Sequence, residues 1–198
     1  MKYVNQLKYP HWLYVTRTSK EGAAREKGKT TTIKSSGCGL CCSVMIADRL
    51  LPNCEYTLED ALRISYDVNA NHSIGTDYKL FAPAFAQELG LTYEGTSDPQ
   101  RLLHCLRTGG AAVAHVSGDR EGHVGLFTYG GHYIAAINEE PDGRIAILDP
   151  SYREGKYEEE GRQGRLEMTN GVIALCDLQT LVEEASNRTP SFHLFWRG

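Results

Sequence analysis

The stretch from Ile33 to Leu51 constrains the fold of this chain more than any other. Its apolar positions recur three and four residues apart, which is the spacing of a helix that buries one face. These positions are Leu40, Val44, Ala47 and Leu51. Pro52-Asn53 then ends the pattern. The stretch therefore predicts a core helix that begins near Cys38.

Cys38 lies between two glycines, at or just before the first turn of this helix. The first backbone N–H groups of a helix are free and carry the positive end of its dipole, which favours a thiolate over a thiol. Gly37 and Gly39 would let backbone and substrate approach closely. The position suits a nucleophile. The alternative is a core cysteine, which is our interpretation of Cys41 and Cys42 inside the helix.

The composition is that of a globular protein and excludes several classes. The chain has 198 residues, enough for one large domain or two small lobes, and 41% of them are hydrophobic. A formal net charge of −4, with no basic face interleaved with aromatics, argues against a general nucleic-acid binder. Neither a signal-peptide core nor a membrane-spanning run is visible. We expect a cytoplasmic protein, with release by a non-classical route as the alternative.

The six cysteines predict reduced thiols rather than a disulfide framework. Three of them fall within five residues at the head of one helix, which is unusual for a secreted, disulfide-linked domain. The same cluster leaves two other readings open. Cys38-x-x-Cys41 is the spacing of thiol-disulfide oxidoreductases, and a zinc site from Cys38, Cys41, Cys42 and Cys54 is a less favoured alternative, because adjacent Cys41 and Cys42 point in different directions on a helix. We expect neither a metal nor another cofactor.

The hydrophobic period changes midway along the chain. In the first half, capping signals and helical spacing predict three more helices, after Thr57, over 76–89 and after Ser97-Asp98-Pro99. Pro83 suggests that the second of these begins only near it. Short apolar runs then predict antiparallel strands. The runs are 111–116, 132–137, 145–148, 172–176 and 192–196.

This order of elements predicts an α+β fold in a single domain, 1–198, with two lobes. The helical lobe covers about 33–110 and the sheet lobe about 111–198, with the N-terminal segment 1–32 packed on the body. Residues 16–32 are interpreted as a surface loop, with a basic recognition patch that gates the site as the alternative. Residues 151–170 form a polar excursion.

A cysteine nucleophile needs a base, and the base needs a third group to hold it. The chain has seven histidines. His132 stands out because it follows Gly130-Gly131 and lies at the open end of an apolar strand. Four others are more simply explained as structural or surface residues, which are His11, His72, His104 and His193, while His115 lies within an apolar strand and His123 in a Gly-rich turn.

Asp149 ends the partner strand of the hairpin that His132 begins. If Glu140 faces Gly143 across the turn, then His132 faces Ser151, and Asp149 is its diagonal neighbour on the same sheet face. Such neighbours are about 7–8 Å apart at Cα, within reach of a hydrogen bond between their side chains. A slip of one residue would break the pairing. The alternative role for Asp149 is that of a turn residue before proline.

These motifs resemble a known family. Gly37-Cys38-Gly39 at a helix start, Gly130-Gly131-His132-Tyr133-Ile134 on a strand and Leu148-Asp149-Pro150 on the next are similar to the papain-like cysteine peptidases of the bacteriocin-processing (double-glycine) type, in their stand-alone form. The resemblance covers about residues 3–150. Relatives often carry proline and a small residue after Cys-Gly, where this chain has Leu40 and Cys41.

The resemblance implies a bacterial hydrolase of papain-like fold that cleaves a peptide or amide bond through a Cys38 thioester. His132 and Asp149 would complete the catalytic triad. Gln6, in a segment similar to one that carries an oxyanion-hole glutamine, would donate to the oxyanion together with the backbone N–H of Cys38. The partner would be a peptide or a peptidoglycan peptide, with transfer to another amine as an alternative to hydrolysis. A catalytically inactive peptide-binding module of the same fold is the remaining alternative.

Overall fold

The computed structural model describes residues 1–15, 30–72, 74–169 and 171–198. Most of the surface loop expected at 16–32 therefore lies outside the described residues. Within them, the chain forms six α-helices, which are α1 (Ile33–Ser36), α2 (Cys38–Leu50), α3 (Leu58–Asp67), α4 (Tyr78–Leu89), α5 (Pro99–Arg107) and α6 (Leu178–Ala185). None of these described helices has the length and apolar character needed to cross a membrane.

The strands of the described residues form one large antiparallel sheet and two small pairs. They are β1 (Leu13–Val15), β2 (Thr30–Thr32), β3 (Asn71–His72), β4 (Gly75–Thr76), β5 (Leu91–Thr96), β6 (Ala111–Val116), β7 (His132–Glu139), β8 (Ile145–Leu148), β9 (Glu167–Thr169), β10 (Ile173–Cys176) and β11 (Phe192–Arg197). The large sheet has seven strands in the order β5-β11-β6-β7-β8-β10-β9. The protein is therefore α+β, as the sequence predicts.

Side chains that alternate along the central strands bury both faces of the large sheet. Val113, Tyr133 and Ala135 belong to one apolar cluster, which also contains the buried faces of α2, α3 and α4. Ala114 and Ile134 belong to a second cluster, with α5 and α6. Burial on both faces explains why the sequences of β6 and β7 are almost continuously apolar. In a strand with one solvent-exposed face, apolar and polar residues would alternate.

Local signals set the helix starts as expected. Thr57 and Asp60 form the predicted capping box at the start of α3, and the Asp98 side chain caps α5. The expectation that Pro83 delays the start of α4 is wrong. Asp77 accepts a hydrogen bond from the Lys79 N–H, so the helix begins at Tyr78 and Pro83 lies within it. The free energy gained by burying the aromatic side chains of α4 outweighs the loss of the one backbone hydrogen bond that proline removes.

The expectation that the first half is purely helical is also wrong, because Leu91–Thr96 forms β5 at the edge of the large sheet. The segment pairs with β11 along its whole length. Five of its six residues are exposed or half-buried, which suits a strand at the edge of a sheet. Gly95 inside the segment weakened the strand signal in the sequence.

The β7–β8 hairpin reaches the expected register by an unexpected route. Glu140 pairs with Arg144 rather than with Gly143, because the turn contains three residues and ends in left-handed Gly143. A bulge between Ala136 and Asn138 then shifts the register back. Beyond the bulge, Ala135 faces Leu148, as the expected register requires.

Candidate active site

Cys38 is the first residue of α2, immediately after Gly37 separates this helix from the short helix α1. Its side chain is 8% exposed. The backbone N–H groups of Tyr133 and Gly39 hydrogen bond its sulfur. The sulfur therefore lies where the free amides of a helix start meet the first residues of β7.

The glycines around Cys38 serve the protein's own packing more than an incoming ligand. A β-carbon at Gly37 would lie 2.7 Å from the Ile33 side chain, and one at Gly39 would lie 3.0 Å from the Tyr78 ring. Neither residue has a positive φ. The groups that approach these glycines closely are Ile33 and the aromatic rings of Tyr78 and Tyr133, and the approach of a substrate stays a prediction.

The structure brings Cys38, His132 and Asp149 together. His132 Nε2 lies 2.8 Å from Asp149 Oδ1, and Cys38 lies close enough to the same imidazole for each group to shift the pKa of the other. Because Nε2 faces Asp149, Nδ1 is the ring nitrogen that remains for the sulfur. His132 is 5% exposed and Asp149 is 2% exposed, so water competes little for these bonds.

Electrostatics favour charge on all three groups. Burial opposes ionisation of the Cys38 thiol, but its hydrogen bond with His132 and the charge of that ring outweigh burial, and the pKa of Cys38 is lowered. Burial likewise disfavours the imidazolium, yet the charge and hydrogen bond of Asp149 raise the pKa of His132 to about 9. The charges of His132 and Lys156 hold the pKa of Asp149 below its usual range in spite of burial. Both shifts favour a thiolate–imidazolium pair over the neutral thiol and imidazole.

Three residues that the sequence did not single out complete the surroundings of Asp149. Ser151 donates its backbone N–H to Oδ1 at 2.8 Å, and its hydroxyl lies 3.0 Å from His132 Nε2. Tyr157 donates to Oδ2 at 2.6 Å, and the buried Lys156 ammonium donates to the same oxygen. All three lie in the polar excursion 151–170, where only scattered tyrosines hinted at a packed segment.

The N-terminal segment packs behind Asp149. Tyr3 donates its hydroxyl to the Asp149 carbonyl at 2.6 Å, and the Gln6 N–H donates to the Pro150 carbonyl at 2.7 Å. The Gln6 side chain is buried, and its Nε2 donates to the Lys34 carbonyl of α1 at 2.7 Å. Gln6 thus lies against the helix that precedes Cys38. One hydrogen of its amide group remains for another acceptor.

A cleft of about 560 Å³ opens beside Cys38 and His132. Its lining includes the imidazoles of His72 and His193, which sequence reasoning assigned to structural or surface roles, and that of His115, which it placed within an apolar strand. Tyr133 stacks on His115 with ring centroids 4.3 Å apart, so part of the wall is aromatic. Burial lowers the pKa of His193 to about 3, which keeps this ring neutral.

A second depression, about 600 Å³ and more open to solvent, lies between Trp12 and α3. None of the four candidate residues lines it. All six cysteines of the chain are free thiols, and within the described residues no cluster of histidine, cysteine and acidic side chains has the arrangement of a metal site. The cleft beside Cys38 is therefore the place where the chemically reactive groups converge.

Comparison with known proteins adds no family to this geometry. No model of a known protein family matches the chain, and a search of curated proteins finds no significant match. The chemistry of the site is therefore inferred from its own residues.

Proposed function

We propose that this chain is a cysteine peptidase or amidase that cleaves a peptide or amide bond through a thioester on Cys38. The observation that carries the proposal is that Cys38 and His132 line one cleft and shift each other's pKa, while Asp149 Oδ1 lies 2.8 Å from His132 Nε2. A nucleophile, a base within hydrogen-bond reach and a group that orients the base are the requirements for nucleophilic catalysis.

In the acylation step, the Cys38 thiolate attacks the carbonyl carbon of the substrate. The C–N bond breaks in the tetrahedral intermediate that follows, and the His132 imidazolium gives its proton to the departing amine. Asp149 keeps the ring oriented and stabilises its positive charge. The pKa of about 9 for His132 supports this role, because the acid form is populated at neutral pH.

In deacylation, neutral His132 takes a proton from a water molecule, and the oxygen of that water molecule attacks the thioester carbon. The C–S bond then breaks, and the Cys38 thiolate and His132 imidazolium are restored. A second amine in place of water would give a transferase. The free backbone N–H of Cys38 at the start of α2 and the remaining amide hydrogen of Gln6 are the proposed oxyanion donors. A donor of this kind is commonly worth about 3–4 kcal/mol.

The papain-like fold, and the stand-alone relatives of double-glycine peptidases within it, are part of this proposal. The motif residues support it in their order along the chain, with Cys38 at the start of a helix, His132 at the start of β7 and Asp149 immediately after the adjacent strand β8. A peptide or a peptidoglycan peptide is the proposed substrate. The cleft beside Cys38 has the volume range of a ligand site.

The oxidoreductase alternative has less support. A C-x-x-C enzyme needs a second thiol that can ionise or be attacked, and Cys41 is fully buried. Burial, with the nearby charge of Cys38, raises the pKa of Cys41 far above its ordinary value. The two cysteines thus differ sharply, whereas His132 partners Cys38 specifically.

The test is cleavage of a pooled library of unrelated peptides, followed by mass spectrometry, with the intact chain and with Cys38→Ala. We expect cleavage products only from the intact chain, and covalent capture of a peptide aldehyde as a thiohemiacetal on Cys38. Cys41→Ala is the matched control, and it should retain cleavage. Loss of activity in Cys41→Ala with retention in Cys38→Ala would contradict the proposal, as would the absence of both cleavage and capture.

A further inference from the structure

The cleft contains a guanidinium that the proposed chemistry does not use. Arg188 lies between α6 and β11 and lines the cleft together with Gly131 and His132. Its backbone N–H donates to the Ala185 carbonyl at 3.1 Å, and its carbonyl accepts from the Ser191 hydroxyl at 2.9 Å. The side chain therefore extends into the cleft from a fixed point of the backbone.

The absence of a side chain at Gly131 allows the Arg188 guanidinium to approach β7 closely. The φ angle of Gly131 is not positive, so its backbone conformation does not require glycine. A β-carbon at this position would lie 3.1 Å from Nη2 of Arg188. Any other residue would therefore press on the guanidinium. The glycine before His132 thus leaves space for Arg188.

The Arg188 side chain has an unused donor. Its Nε is buried and has no hydrogen-bond partner among the residues that the structure describes. The lining carboxylate, Asp77, lies 3.6 Å from His72 Nε2, and Asp149 is held by His132. A buried donor without an acceptor is unfavourable until a ligand supplies one.

The charges of the cleft favour an anionic ligand. Besides Arg188, the exposed Lys79 contributes a second cation to the lining. Asp77 is the lining carboxylate, and its Oδ1 accepts the Lys79 backbone N–H at 3.1 Å. The planar guanidinium matches a carboxylate, because two parallel N–H groups can bond both oxygens.

We propose that Arg188 determines specificity by binding a carboxylate of the substrate, so that the cleft selects acidic peptides. The inference rests on the proposed function and names its substrate class. The carboxylate has two sources, an aspartate or glutamate side chain near the bond to be cleaved, or the C-terminus of a short peptide. The experiment distinguishes them.

The test measures binding by the full chain carrying Cys38→Ala, which holds peptides without cleaving them. One pooled library contains acetylated, amidated hexapeptides in which Glu or Gln is fixed at each position in turn. A second lacks acidic side chains and ends in a free carboxylate or an amide. The immobilised protein is washed, and the retained peptides are quantified by mass spectrometry.

We expect at least about tenfold greater retention of the acidic member in one of the two libraries, because charge-assisted hydrogen bonds to carboxylate are strong. The first library reports a side-chain carboxylate and the second a C-terminal one. Adding Arg188→Gln should bring the ratio close to one. Arg188→Lys, which keeps the charge but not the fork, should give an intermediate ratio and also serves if the Gln variant folds poorly.

Arg101→Gln is the matched control, since this exposed arginine of α5 pairs with Glu94 and does not line the cleft. It should leave the ratio unchanged. Equal retention of acidic and neutral peptides, no retention at all, or an acidic preference that survives Arg188→Gln in a folded protein would overturn the inference. Peptide cleavage without acidic preference would remove only the role of Arg188. Acidic preference through Arg188 without cleavage by the intact chain would remove only the peptidase.

Discussion

Among the residues that the structure describes, two histidine–carboxylate pairs have both side chains almost fully buried, and only one of these pairs lies beside a sulfur. In the first, His132 Nε2 donates to Asp149, with the Lys156 ammonium on the second oxygen. In the second, His123 Nε2 lies 2.9 Å from Glu184, and Arg165 pairs with the same carboxylate. Each pair thus combines an imidazole, a buried acid and a cation.

The pairs differ in geometry. His123 Nε2 makes no hydrogen bond with this carboxylate in spite of the short distance, so the contact is not directed. Glu184 also accepts the Leu126 N–H at 2.9 Å and thereby holds the loop that leads into β7. The His132 pair is directed and adjoins a cleft. Pairing of histidine with an acid therefore does not by itself indicate chemistry, and the position of Cys38 distinguishes the two.

Removing each carboxylate should separate the roles most strongly. Asp149→Asn should lower the peptide cleavage rate about 10²–10⁴-fold, because the imidazole loses its orientation and the stabilisation of its charge. Glu184→Gln should instead lower the free energy of unfolding by about 1–3 kcal/mol, since the buried partners of this carboxylate lose a charge. Cleavage per folded molecule and urea unfolding measure the two effects. Equal loss of activity in both variants would contradict the distinction.

Removing the cation beside each carboxylate should also separate activity from stability, but with smaller effects than removing the carboxylates. Lys156→Met should lower kcat about tenfold with little change in KM, because Lys156 holds Asp149 and does not line the cleft. Arg165→Met, the matched variant of the other pair, should affect unfolding more than kcat.

Lys156→Arg provides a check on this interpretation, because it keeps a cation near Asp149 and should recover part of the lost kcat. A Lys156→Met variant that changes stability alone would assign Lys156 a purely structural role. The expected tenfold loss of kcat in Lys156→Met corresponds to about 1.4 kcal/mol of transition-state stabilisation.

The pH dependence of stability should identify the His132 pair through the signs of its pKa shifts. The pKa of His132 is raised to about 9, so its contribution is fully present below the ordinary histidine pKa and is lost as the pH rises through 9. The pKa of Asp149 is lowered, so its contribution is present above the ordinary aspartate pKa and is lost in acid. Urea unfolding across this pH range should show a loss of stability in acid and a second loss in alkali. His132→Gln should remove the alkaline loss. If the alkaline loss persists in His132→Gln, another group causes it.

The parts of the site that are local in sequence could be predicted from it. Cys38 at a helix start follows from the apolar stripe of α2, and the approach of Asp149 to His132 follows from a single hairpin. Even there, the three-residue turn was not predicted, and the register survives because the bulge after Ala136 compensates for it. The general α+β arrangement follows from the change of period.

The remaining parts depend on tertiary contacts without a local pattern. Lys156 and Tyr157 reach Asp149 only because the charged excursion after β8 folds back on the site. Arg188 enters the cleft from the turn before the last strand. Neither the period nor the capping signals of these segments indicate burial, because the contacts that bury them are made with distant parts of the chain.

The most direct measurement is the rate of Cys38 alkylation by iodoacetamide as a function of pH. The lowered pKa of Cys38 predicts a rate that remains high at about pH 6, where an ordinary thiol is almost fully protonated. His132→Gln should return the rate to ordinary thiol behaviour. An intact chain whose rate rises with pH toward a pKa of about 8.5 would contradict the thiolate–imidazolium pair.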